Sequence, residues 1–271
     1  MSQTLIFSGG GAFTLDDARY EGKSFSPGRG TMDTLNDIDF EVSGNRVFIS
    51  DTSSRSVVQY NLSIPWDIET ATSAKETTVS GSMSAQEADG MTLGTSGLSF
   101  YVVGQGKAQR YALTSAWSVS GATLAESVNS LASVSAATAV ALSSDGLKMF
   151  ISDRIPTNTI DEFALTSAWS ISANSRLGSF NVTPNEQVYG IDFSDDGKTM
   201  FLLTESELVR QYALASAWSL GIVSFVQSFG VVDQTVVTKG GVVIADSGRR
   251  MYVTGVSAGI PNDPKIFQYS L

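Results

Sequence analysis

Apolar residues along this chain come in short runs, and inside many of them apolar and polar positions alternate. Ile38-Asp39-Phe40, Ile191-Asp192-Phe193 and Val47-Phe48-Ile49 are typical. Successive side chains of a strand point to opposite faces, so such segments, rich in β-branched and aromatic residues, predict strands rather than helices. Polar turns that end in glycine separate the first runs from the second, as in Ser144-Asp145-Gly146 and Asp195-Asp196-Gly197. These turns predict hairpins.

The pattern repeats about every fifty residues. The turn glycines are Gly44, Gly97, Gly146, Gly197 and Gly248, each followed four residues later by an aromatic: Phe48, Tyr101, Phe150, Phe201 and Tyr252. A second marker keeps the same period. Tyr60, Tyr111, Phe163 and Tyr212 each stand six residues before a tryptophan, at Trp66, Trp117, Trp169 and Trp218. A fifth copy begins at Tyr269-Ser270-Leu271 and stops before its tryptophan. A third strand ends in each Tyr/Phe-x-Leu, and a fourth follows the tryptophan, as in Ala122 to Ser127. Four strands per period is the blade signature of a β-propeller.

The first strands show how such blades would stack. Ile38, Met91, Val140, Ile191 and Val242 form one row, and Phe40, Leu93, Leu142, Phe193 and Ile244 a second on the same face. The opposite face carries Asp37, Gly90, Ala139, Gly190 and Gly241, four of them small. Large faces packing on small ones predict close-packed sheets around an axis, and an open β-sandwich would not need five repeats in register. The expected fold is all-β: a five-bladed β-propeller with four antiparallel strands per blade. The last blade lacks its outer strand, so Ala18 to Phe25 should supply it, pair with Lys265 to Leu271 and close the ring. That divides the chain into an N-terminal arm, residues 1–16, with Gly9 to Gly11 as a hinge, and a propeller, residues 17–271.

Composition narrows the chemistry. The chain of 271 residues has no Cys and no His. Thiol nucleophiles, disulfides, zinc-thiolate sites and His-based triads are therefore excluded. The net charge of −10 opposes a phosphate backbone, so no nucleic acid is expected as a partner. No apolar run approaches the roughly 20 residues of a membrane span, and no secretory signal precedes the first turn.

The stretch Ser143 to Asp153, with its Asp-Gly-x-Lys-Met-Phe core, is followed by Phe-Ala-Leu-Thr-Ser-Ala-Trp at Phe163 to Trp169. It resembles propeller repeats of bacteriophage and prophage structural proteins, including tail and adhesion components. More loosely, it is similar to bacterial surface and lactonase-like propellers. The resemblance implies a non-enzymatic virion or surface component, made in the cytoplasm and located in the virion, used for assembly, decoration or receptor binding. The implied partners are other virion or surface proteins, further copies of this chain, or a host glycan or receptor. No functional residue transfers, because the matching positions are turn, core and seam residues.

The remaining chemistry is carboxylate or hydroxyl chemistry. Gly104-Gln105-Gly106-Lys107 has neither the spacing nor the Ser/Thr of a phosphate loop and reads as a hairpin. Ser194 to Gly197 and Asn36 to Asp39 resemble calcium loops but lack the downstream Glu. The inner-strand acids Asp37, Asp39, Asp89 and Asp192 raise the alternative of a glycoside hydrolase, which needs two carboxyls about 5 to 9.5 Å apart. Asp39 and Asp192 are equivalent positions, but Thr92, Ala141 and Val243 occupy that position elsewhere, so the expectation is acids near solvated strand ends. The tryptophans raise a sugar-binding lectin; four identical placements favour blade-edge packing. No catalytic, cofactor or metal residue is assigned. Partner contacts are expected on variable loops and on the arm: Arg55, Arg154, Asn262 and Asp263, with Leu5, Ile6 and Phe7. The fifth blade is expected to carry the longest insert, Gly255 to Pro264.

Overall fold

In the computed structural model, residues 14–27, 35–79, 88–154, 158–231, 235–236, 240–257 and 263–271 are described. They form five small antiparallel sheets in a ring, a five-bladed β-propeller. Blade one comprises Leu35–Phe40, Arg46–Asp51, Ser56–Leu62 and Ala71–Thr78. Blade two comprises Gly90–Leu93, Ser99–Gly104, Lys107–Ala112 and Thr123–Val128. Blade three has Ala137–Leu142, Lys148–Asp153, Thr159–Ser167 and Ser170–Asn181, and blade four Val188–Phe193, Thr199–Thr204, Leu208–Leu214 and Val223–Gly230. Blade five has Val242–Ala245, Arg250–Ser257 and Pro264–Ser270, with Arg19–Phe25 as its outer strand. The short pair Thr235–Val236 also joins the Arg250–Ser257 strand.

No blade owns a core. The five hydrophobic clusters each span two neighbouring blades, so each cluster is a seam. Ile38, Phe40 and Ile49 of blade one pack on Val243, Tyr252 and Ile266 of blade five, which completes the circle. At the axis the small row lets backbones touch. A Cβ on Gly90 would run into the backbone of Ala139, and one on Gly190 into Gly241 and Val242. The glycines there are a packing requirement of a ring this tight.

The N-terminal strand closes the ring as expected, pairing from Arg19↔Ser270 to Phe25↔Ile266. A register shift between Tyr20 and Lys23 surrounds Gly22, whose φ is +78°. Tyr20 packs on Phe267 and Tyr269, and Phe25 on Tyr60 of blade one. The docked chain begins earlier than residue 17. Leu15 is buried against Phe201, Val209, Phe267 and Tyr269. Its N–H donates to Gln211 Oε1 at 3.1 Å.

That bond has counterparts at the other seams. The N–H two residues after each tryptophan donates to a side chain of the preceding blade: Ile68 to Gln268, Val119 to Gln59, Ile171 to Glu126 and Leu220 to Glu162. At the seam of blades four and five, Leu15 takes that place. Leu5, Ile6 and Phe7 lie outside the described residues.

The expected long insert in blade five is shorter than its sequence span. Gly255 pairs with Lys265 and Val256 with Pro264, so strand pairing extends into the segment read as a loop. Gly104 to Lys107 is a hairpin, with Gln105 and Gly106 both at positive φ, the backbone that a two-residue strand connection needs.

Candidate functional site: the axial well

The two repeat markers meet in space. Each turn glycine of blades one to four has φ near +70°, and a Cβ on it would overlap the indole of the tryptophan in the same blade. Each tryptophan is itself left-handed, with φ of 56° to 67°, and its N–H donates to the carbonyl of that glycine. Its own carbonyl is held by the preceding blade. Tyr252 Oη donates to Trp66 at 2.6 Å, Arg46 to Trp117 at 3.1 Å, Tyr101 Oη to Trp169 at 2.7 Å and Lys148 Nζ to Trp218 at 2.6 Å. The tryptophans thus hold hairpin tips and lock neighbouring blades, as the packing reading expected. They remain half-buried, and three of them face the axis.

On the hairpin face the axis opens into a well of about 440 Å3. Its mouth is a ring of one residue per blade, Val42, Thr95, Ser144, Asp195 and Asp246, set two positions before the turn glycines. Phe40, Leu93, Leu142, Phe193 and Ile244 form the next ring, and Asp39, Asp192 and Val243 lie deeper. Trp66, Trp117 and Trp218 wall the sides. Among the described residues, none that lines the well is Lys or Arg. Glu41 at the wall is paired with Arg46 at 3.1 Å, and Asp246 faces Arg249 and Arg250 at 3.7 Å. Among the described residues, Asp39, Asp192 and Asp195 have no cation within ion-pair distance.

Asp39 and Asp192 are not free acids at a solvated strand end. Asp39 accepts from Phe40 N at 2.7 Å, and across the seam from Leu93 N at 2.8 Å and Thr92 Oγ1 at 3.2 Å. Asp192 repeats the pattern with Phe193 N at 2.8 Å and Ile244 N at 2.6 Å. Asp37, one turn of the pleat deeper, accepts from Ile38 N and Met91 N, both at 2.9 Å. Each carboxylate staples the N–H edge of the next blade's inner strand. Inner strands of a ring do not form a ladder with one another, so these N–H groups need side-chain acceptors. Burial pushes the Asp39 carboxyl up to about 6, against the pull of its N–H donors. Burial also raises Asp37 and Asp192 well above the carboxylate range, and the charge of Asp39 adds to the rise in Asp192.

Among the described residues, the opposite end of the axis leaves only a narrow space. Asn36, Asp89, Thr138, Tyr189 and Gly240, one residue per blade, close it around a space of about 10 Å3 that Arg154 also lines. Asn36 donates to Asp89 at 3.1 Å and accepts from Thr52. Of the expected partner contacts, Arg55 is exposed on a left-handed loop position, and Arg154 is half-buried, its Nε without a hydrogen-bond partner among the described residues. Asp263 pairs with Lys265 at 2.9 Å. They stand on blades one, three and five, and no hydrogen bond or ion pair joins any two of them. Asn262 lies outside the described residues. The Ser194 to Gly197 turn spends Asp196 on Ser194 Oγ and Lys198 N, and among the described residues no group of three or more acids is placed to hold a metal ion.

Reading the sequence did not find the well, because Glu41, Asp195 and Asp246 sit at hairpin tips of different blades. The usable signal was the position two before each turn glycine, which the fold gathers into the mouth.

The chain is thus a five-bladed propeller with an acidic, tryptophan-walled axial well. No protein family's sequence profile matches it, and no curated protein does. Among solved structures it is similar to a functionally unknown protein from Desulfotomaculum acetoxidans, at 13% identity and a TM-score of 0.49, over 82% of this chain and 63% of that one. It is also similar to candidate 6-phosphogluconolactonases from Bacteroides fragilis, at 11% identity over 76% of this chain and 58% of that one, and from Bacteroides uniformis, at 15% over 77% and 59%. Both have TM-scores of 0.49. The chain spans about three-fifths of the length of these proteins. Likeness at this distance assigns no activity.

Proposed function

We propose that this protein is a non-catalytic module, a rigid propeller that binds or connects partners as part of a virion or surface assembly. The observation that carries the non-catalytic reading is the commitment of the axial carboxylates. Asp39 and Asp192 face the well but spend their oxygens on N–H groups of their own strand and of the neighbouring blade. A general acid or nucleophile needs an oxygen free to reach the substrate. The virion setting follows from the resemblance of the repeat, and its partners are other virion or surface proteins, copies of this chain, or a host glycan or receptor.

One observation favours a second reading, a lectin or glycoside hydrolase: half-exposed tryptophans and acids share one well of ligand size. A screen over chromogenic glycosides and lactones separates the two. Background rates are expected. Turnover that disappears in both Asp39→Ala and Asp192→Ala, with both variants folded, overturns the non-catalytic reading. The setting is tested by mass spectrometry of purified particles from the source organism.

A further inference from the structure

The well has a chemistry that the stapling role of its acids does not exhaust. Asp39 and Asp192 line the cavity while their oxygens accept from N–H groups across the seams. A carboxylate offers about four acceptor sites, and Asp39 fills three of them. A sugar held by directional hydrogen bonds would rely on the hydroxyls of Thr95, Ser144, Ser194 and Ser247, because among the described residues no Lys, Arg, Asn or Gln lines the well. An anion is repelled. Among the described residues the lining itself carries no positive charge; Arg46, Arg249 and Arg250 stand behind Glu41 and Asp246. Asp195 stands exposed at the mouth without a cation partner among the described residues, and half-buried indoles line the wall. Aromatic rings and carboxylates together form the usual surroundings of an organic cation. The upward push on Asp39, to about 6, comes from burial without a counter-charge, which a bound cation would supply.

We propose that the axial well binds an ammonium or guanidinium group, held by the acidic field and the tryptophan wall. The inference rests on reading the axis as a binding site and not a reacting one. The cation comes either from a small molecule or from a Lys or Arg side chain of a partner that caps the hairpin face.

The test is titration of the full chain at about pH 8, above the value of Asp39, followed by calorimetry and tryptophan fluorescence. The probes are n-butylammonium, N-acetylarginine amide and a Lys-bearing tripeptide, with maltose as the neutral control. Saturable binding of the cations is expected, weakened by salt. Asp195→Lys, at the exposed mouth, should weaken it about tenfold, the size expected when a partly exposed charge pair becomes a repulsion. Glu205→Lys makes the same charge change on the other face of blade four, and should alter it by about twofold at most. Tighter binding of the tripeptide than of butylammonium assigns the cation to a protein partner, and the reverse order to a small molecule; both support the site. Absence of saturable cation binding overturns it. So do equal effects of Asp195→Lys and Glu205→Lys, or maltose binding that survives Asp195→Lys. Turnover in the glycoside and lactone screen is a separate outcome, so failure of the non-catalytic reading is distinguishable from failure of this one.

Discussion

At the scale of single residues, glycine and tryptophan act as one device. Gly97 needs its φ of +68°, and the indole of Trp117 occupies the space where a Cβ would go. Gly22 has a similar φ of +78° with nothing within 4 Å of its Cβ position. Gly97→Ala should therefore cost about 3 kcal/mol or more, strain plus overpacking, and Gly22→Ala only about 1 kcal/mol of strain. Denaturant melts of the two variants check the difference; equal losses would remove the indole from the explanation. The axial acids set a pH signature. Their carboxyls are raised in the folded chain by burial, so the protonated form favours folding; for Asp39 that contribution is lost as pH rises from about 4 through about 6. Glu126, Asp145 and Asp196 are lowered, chiefly by hydrogen bonds from Ser172, Ser143 and Ser194 and, for Glu126, by Arg110 against the opposing effect of burial. Their contribution is lost in the opposite direction, as pH falls below about 4. Asp39→Asn removes one titrating carboxyl. The stability advantage of the native chain over this variant should be larger near pH 4.5 than near pH 7.5, by about 1–2 kcal/mol. A constant difference across that range would contradict the raised carboxyl.

At the scale of elements, the ring is fastened by two parts of one N-terminal segment. Arg19–Phe25 supplies the outer strand of blade five, and Leu15 plugs the seam between blades four and five. Leu15→Ala should cost about 2–4 kcal/mol, the range for emptying a buried leucine site. Removing residues 1–13 should change the melting temperature little. Removing residues 1–27 should lower it sharply, because it unpairs the Pro264–Ser270 edge and strips Leu15, Tyr20 and Phe25 from two seams. Calorimetric scans of the two truncations decide this, and matching melting temperatures would show that the clasp does not hold the ring. The outer strand was legible because blade five visibly lacked one. The plug was not: Leu15 resembles Ile68 or Val119 only when the four cross-seam bonds show what that position does.

At the scale of the whole molecule, every hydrophobic cluster belongs to two blades and the last joins blade five to blade one. A blade that loses its neighbour loses half of a core. Unfolding should thus be one transition, with tryptophan fluorescence and far-UV circular dichroism tracing the same curve in denaturant. Separated curves would mean that blades or groups of blades unfold alone.

Periodicity alone determined the blade count, the strand order and the way the ring closes. Those features rest on local rules: alternation sets strand faces, glycine marks the turns, and a missing strand at one end calls for a partner at the other. Single residues in single blades carried less. Asp39 and Asp192 read as solvated acids, because nothing local says that the neighbouring inner strand offers an unpaired N–H at the right height. The same holds for the well. Val42, Thr95, Ser144, Asp195 and Asp246 are about fifty residues apart along the chain and become one rim only when five blades turn about an axis. Tertiary structure decided that Asp39, Asp192 and Asp195 converge with no cation at ion-pair distance among the described residues, because the blade angle, not the chain, sets which tips share a mouth.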